Sequence, residues 1–171
     1  MSSPSEPTAA GQPGLAPQVR RILFLDDDHE RAHAFLNMNP EAIWVETVED
    51  CLVQLENKWD EVHLDHDLGG ERYVDFARED CGMQIVRWLS LFPRPHLKPT
   101  KFYVHSHNPN AARMMVDQME GAGFYVEGRS FGSAVPWYRS QPLEARSETV
   151  VDKVVKGIAS FLNKLGGGDS R

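Results

Sequence analysis

Three short stretches hold the residues best suited to chemistry: "DDD" at 26–28, "DHD" at 65–67 and "HSHN" at 105–108. Each follows an apolar run, so each stands where a strand would end. Clustered carboxylates repel one another and resist burial, and they ordinarily need a cation. An oxygen-only set suits Mg²⁺, whereas added imidazole shifts preference toward Mn²⁺, Zn²⁺ or Fe²⁺. A dipole-favoured acidic helix start would explain "DDD" by itself. Recurrence at three strand ends is what points to a metal.

Histidine exchanges protons near neutral pH. His66 and His105 sit on different strand ends, so one could deprotonate a nucleophile while the other protonates a leaving oxygen. His63 lies inside a strand, and His29, His33 and His96 fall on a helix or loop; these four are set aside. Ser106 fits a hydrogen-bond donor to a phosphoryl oxygen better than a nucleophile, since no G-x-S-x-G elbow is present. The pair Gly69–Gly70 belongs to neither a P-loop nor a dinucleotide fingerprint.

These groups need elements to carry them. "ILFL" (22–25) is bounded by charge, as suits a strand buried on both faces of a parallel sheet. "HERAHAFLNM" follows as a helix, with Asp28 as its N-cap and Pro40 closing the segment. "AIWVET", "DEVHLD", "KFYVHS" and "FYVEG" are expected as strands two to five. "VEDCLVQLENK", "CGMQIVRWLSLF" and "NAARMMVDQMEGAG" supply the helices between them, the second stopped by Pro93 and Pro95. "LGGERYVDFARED" is a polar loop of the length usually kept for function.

After a loop containing Pro136 and Pro142, a last helix is expected at about 148–165. Residues 1–18 and 166–171 read as tails around one domain, 19–165. Strands alternating with helices imply a five-stranded parallel sheet covered on both faces. Ligands of such sheets bind beyond the carboxyl ends of the strands, where strand order switches.

The net charge of −7 gives no overall basic field for a nucleic-acid backbone, and nothing marks a reader of DNA sequence. No apolar run reaches membrane-spanning length, and the first eighteen residues read as a disordered tail rather than a signal peptide. Two cysteines without a framework spacing make reducing cytoplasm the expected compartment.

"ILFLDDD" with Arg31 after it, "LDHDLGG", and a serine closing the fourth strand resemble the receiver domain of response regulators. That resemblance implies a flavodoxin-like three-layer sandwich, with Asp26, Asp27 and Asp65 around one Mg²⁺ and Ser106 beside them. The sharper likeness is to the cyclic-phosphate processing receiver domain. It is carried by "LDD" (25–27), "ET" (46–47), "LDHDLG" (64–69), "CGMQIVRWL" (81–89) and "VHSHNP" (104–109), together within about 22–123. His107 falls at a variable position of that pattern and carries less weight than His105. Receivers close the fifth strand with a lysine; here "FYVEGRSF" has Glu127 and Arg129 instead, which argues against ordinary phosphorelay signalling.

The resemblance implies a metal-dependent phosphoesterase acting on cyclic phosphates of nucleotides or RNA ends. Asp26, Asp27 and Asp65 would hold a divalent metal, with Mg²⁺ or Mn²⁺ ahead of Zn²⁺ or Fe²⁺. His66 or His105 would serve as acid or base, Asp67 would orient an imidazole, and Ser106, Asn108 and Arg31 would engage the phosphate. The alternative is a non-catalytic receiver-like module that binds metal or phosphate and signals to a protein partner the sequence does not name. A covalent route through phospho-Asp65 is a third option.

Overall fold

The computed structural model describes residues 19–92 and 94–140. The tails expected at 1–18 and 166–171, and the helix expected at 148–165, lie outside the described residues. Elements run β1 (Ile22–Leu25), α1 (His29–Met38), β2 (Ile43–Val45), α2 (Val48–Gln54), β3 (Glu61–Asp65), α3 (Met83–Leu91), β4 (Lys101–His105), α4 (Pro109–Gly121), β5 (Tyr125–Arg129) and β6 (Pro136–Arg139). A single 3₁₀ turn, Pro95–Leu97, follows α3. The sheet order is β2-β1-β3-β4-β5-β6, parallel except for β6.

All four residues of β1 are buried, as a central parallel strand flanked on both sides requires. Helix starts are set by side chains the chain carries locally. Asp28 accepts from the backbone N–H groups of Glu30 and Arg31 to begin α1. Thr47 and Asn108 likewise accept from Asp50 N and Ala111 N to begin α2 and α4. The main core lies between the sheet and the helices after β2, with Leu23, Leu25, Val62, Leu64, Phe102, Val104 and Val126 meeting Cys51, Ile85, Val86, Met115 and Met119. The two cysteines are buried and unpaired by disulfide.

The sheet has six strands where the sequence suggested five. The added strand, β6, lies in the segment expected to be a loop around Pro136. It pairs antiparallel to β5, with Glu127 opposite Arg139 and Gly128 opposite Tyr138. Proline is tolerated because it stands first on an edge strand, where no ladder donor is required of it. Gly128 makes the pairing possible: a Cβ there would lie 2.3 Å from the Trp137 ring. Arg139 donates to Glu127 at 2.8 Å and ties the two strands together.

Strand order steps outward in opposite directions from β1 and β3, so the crevice between their carboxyl ends is the switch point. Asp26–Asp28 leave β1 there, and Asp65–Asp67 leave β3. Both acidic stretches therefore reach one place through parallel pairing of Leu25 with Leu64.

Candidate metal and phosphate site

Asp26 and Asp65 are almost wholly buried, while the Asp27 side chain keeps 16% of its exposure. One carboxylate oxygen from each lies within 4.8 Å of the others. Arg31, one turn into α1, reaches back over them. Its Nη2 donates to Asp26 Oδ1 at 2.6 Å and to Asp65 Oδ2 at 2.9 Å. Its Nε donates to Asp26 Oδ2 at 2.9 Å and its Nη1 to Asp28 Oδ2 at 3.0 Å.

One guanidinium does not balance this charge. Burial pushes the Asp26 carboxyl up despite Arg31. Asp65 is pushed up to about 8, first by burial and then by the Asp26 charge, with Arg31 offsetting only part. Asp28, by contrast, is held below the ordinary carboxylate range by the backbone N–H of Arg31. The donor set is hard and all-oxygen, and it lacks positive charge. It fits a hard divalent cation such as Mg²⁺.

Above the acids lies a cleft of about 200 Å³, lined by Asp27, Asp28, Arg31, Asp65, Asp67, Gly70, Glu71, Arg72 and His107. Gly69 and Gly70 take φ of +81° and +73°, which turns the chain sharply after β3. Gly70 N then donates to Asp27 Oδ2, and the turn carries Glu71 and Arg72 to the cleft wall. Arg72 has no motif of its own. The available signal was the polar loop after "DHDLGG", which gave a function but no residue.

The expected acid and base residues do not gather in this cleft. The His66 ring is fully buried and does not line it; its Nδ1 pairs with Asp67 Oδ1 at 2.8 Å. His105 is buried as well, stacked on Phe24 (centroids 5.4 Å apart) and met edge-on by Phe131 at 4.6 Å. Neither His105 nitrogen has a hydrogen-bond partner among the described residues, and burial holds its pKa well below the usual imidazole value. His107 is the exposed imidazole that lines the cleft.

Asp67 does line it, and it accepts from Val74 N at 3.0 Å on Oδ1 and from Ser106 Oγ at 3.3 Å on Oδ2. Ser106 Oγ in turn accepts from Asn108 N at 2.9 Å. Ser106 and Asn108 thus stand behind Asp67, with Asn108 Oδ1 committed to the α4 cap at 3.1 Å from Ala111 N. Arg129, at the end of β5, is held by its own neighbours: it pairs with Glu127 at 2.6 Å and covers the Tyr103 ring at 4.4 Å.

Strand order, the acidic switch point and a charged cleft together define a receiver-like α/β domain. The chain belongs to the cyclic-phosphate processing receiver domain family, whose model matches residues 21–121. Among solved structures it is similar to a CheY-like response regulator receiver domain from Methylobacillus flagellatus, at 16% identity and a TM-score of 0.45, covering 82% of this chain and 99% of that one. It is also similar to the N-terminal domain of a response regulator receiver protein from Methanoculleus marisnigri JR1, at 15% identity and a TM-score of 0.45, covering 82% and 94%. No curated protein sequence matches it significantly. No helix among the described residues is long and apolar enough to cross a membrane.

Proposed function

We propose that this domain is a metal-dependent phosphoesterase that opens a cyclic phosphodiester carried by a nucleotide or an RNA end. The observation that carries this reading is the charge of the cleft. Around the cleft Asp27, Asp28, Asp65, Asp67 and Glu71 outnumber Arg31 and Arg72, so a bound cation would favour the entry of a phosphate. Asp26, Asp27 and Asp65 would hold that cation, and the all-oxygen donor set favours Mg²⁺ or Mn²⁺ over Zn²⁺ or Fe²⁺. When bound, it would neutralise phosphoryl oxygens in the transition state.

The chain's own groups supply the rest. Arg72 lines the cleft and would meet the phosphate as a guanidinium donor, as would Arg31 where a metal takes over its carboxylates. Ring opening adds water at phosphorus, breaks one ring P–O bond and moves a proton from that water to the released oxygen. Asp67 is the cleft carboxylate placed to accept that proton at Oδ2, while His66 Nδ1 and Val74 N fix Oδ1. Asp67 thereby takes the acid–base role, and His66 positions it.

The binding-module reading draws on the burial of His66 and His105, which removes two imidazoles from the reaction space. Turnover separates the two. Purified protein is assayed against 2′,3′-cyclic nucleotides with Mg²⁺, Mn²⁺ or Zn²⁺. Asp67→Asn should lower the rate by about a hundredfold or more and leave metal binding intact. Wild-type protein that binds metal and phosphate but turns over no ester would establish the module instead.

A further inference from the structure

We propose that His107 and Phe131 form a stacking wall that selects substrates bearing a nucleobase over base-free cyclic phosphates. The inference rests on the phosphate cleft described above, and it adds what stands beside the phosphate. Phe131 comes from the β5–β6 connection, outside the residues 21–121 that match the family model. Its ring lies 5.1 Å from the His107 ring at 27°, close to parallel. The Arg31 guanidinium lies over the same phenyl at 4.2 Å.

The stack is anchored from below. Phe35 of α1 stacks on Phe24 at 4.2 Å, Phe24 on His105 at 5.4 Å, and His105 meets Phe131 at 4.6 Å. A train of rings thus runs from α1 through the buried Phe24 and His105 to the cleft rim. It explains why His105 is buried with no polar partner among the described residues: it serves as a ring. Phe24 and His105 are buried, Phe35 and Phe131 are half-buried, and His107 ends exposed, on the wall that also presents Asp27, Arg31 and Asp65.

A flat π-face next to a phosphate site matches a base attached to that phosphate through a sugar. Stacking on such a face tolerates any base, since every base has a π-face. The wall therefore sets a preference for nucleotides as a class rather than for one base. Holding His107 in place through Phe131 spares the ordering cost that a free surface histidine would incur on binding.

Binding and turnover are read side by side with Mg²⁺ present: adenosine 5′-monophosphate against ribose 5-phosphate, and 2′,3′-cyclic adenosine monophosphate against glycerol 1,2-cyclic phosphate. The base-bearing member of each pair should be favoured by about tenfold or more. Phe131→Leu keeps apolar bulk against His105 but removes the ring that holds His107 in place, and it should bring both preferences close to unity. His107→Ala should do the same, while His107→Phe should retain the preference. Equal handling of base-bearing and base-free compounds by the wild type would overturn the wall and leave the esterase reading standing. A binding preference that Phe131→Leu erases, in a protein without turnover, would uphold the wall and remove the esterase. Binding of neither monophosphate would overturn both, and loss of preference in His107→Phe would overturn stacking as its cause.

Discussion

Arg31 stands between Asp26 and Asp65 because two buried carboxylates on adjacent strands have no other cation within reach among the described residues. The same carboxylates would hold a metal, so guanidinium and divalent ion compete for one negative charge. Removing one partner of a buried pair strands the other, at a cost of about 3–5 kcal/mol. Arg31→Gln should therefore lower the melting temperature clearly in chelator. Excess Mg²⁺ should recover most of that loss, because a ligand bound only to the folded state adds about 2.7 kcal/mol at a hundred times its Kd. Thermal scans of both proteins with and without Mg²⁺ would show it; a loss that Mg²⁺ leaves untouched would mean the ion and Arg31 do not share these oxygens.

At the scale of elements, the site depends on how closely α3 approaches β3. Gly82, just before α3, donates its N–H to the His66 carbonyl at 3.0 Å. A Cβ at that position would lie 2.0 Å from the Asp65 carbonyl oxygen, a clash with backbone that no side-chain rotation relieves. Gly82→Ala should destabilise the fold by about 1–3 kcal/mol and weaken Mg²⁺ binding as well, since the strand end carrying Asp65 must move. Urea unfolding alongside a metal titration tests both parts. A variant that loses stability but binds Mg²⁺ as the wild type does would show that the displacement stops short of the carboxylate. The β5–β6 hairpin matters in the same way: the close approach of Trp137 to Gly128 belongs to the pairing that sets Phe131 against Arg31 and His107.

For the whole molecule, pH sensitivity comes from two opposing sets of buried groups. Asp65, raised to about 8, binds its proton more tightly folded than unfolded, so its contribution grows on acidification. His105 is lowered by burial, with His63 and Arg31 adding to the effect, so its contribution is present above the unfolded imidazole pKa and is lost as pH falls. The informative quantity is the difference between wild type and His105→Phe. From about pH 7 to about pH 5 the wild type should lose ground to the variant, approaching a slope of about 1.4 kcal/mol per pH unit below the unfolded pKa. A constant difference across that range would show that His105 titrates as freely folded as unfolded.

What the sequence determined by itself was local or periodic. Apolar runs ending in acids marked β1 and β3, and Asp28 and Pro40 marked the limits of α1, because caps and breakers act within a few residues. The convergence of Asp26, Asp27 and Asp65 was legible through the receiver resemblance, since alternation of strands and helices implies a parallel sheet but leaves the order of its strands open. Which imidazole faces the cleft was not legible. In sequence His66 and His105 stand out above His107, yet His66 pairs with Asp67, His105 is sealed between Phe24 and Phe131, and His107 lines the wall. Those fates depend on rings and turns from distant segments, as do the edge strand β6 and the placement of Arg72. Tertiary packing alone decided them, because a side chain beyond a strand's end is aimed by its neighbours in space and no longer by the period of the strand.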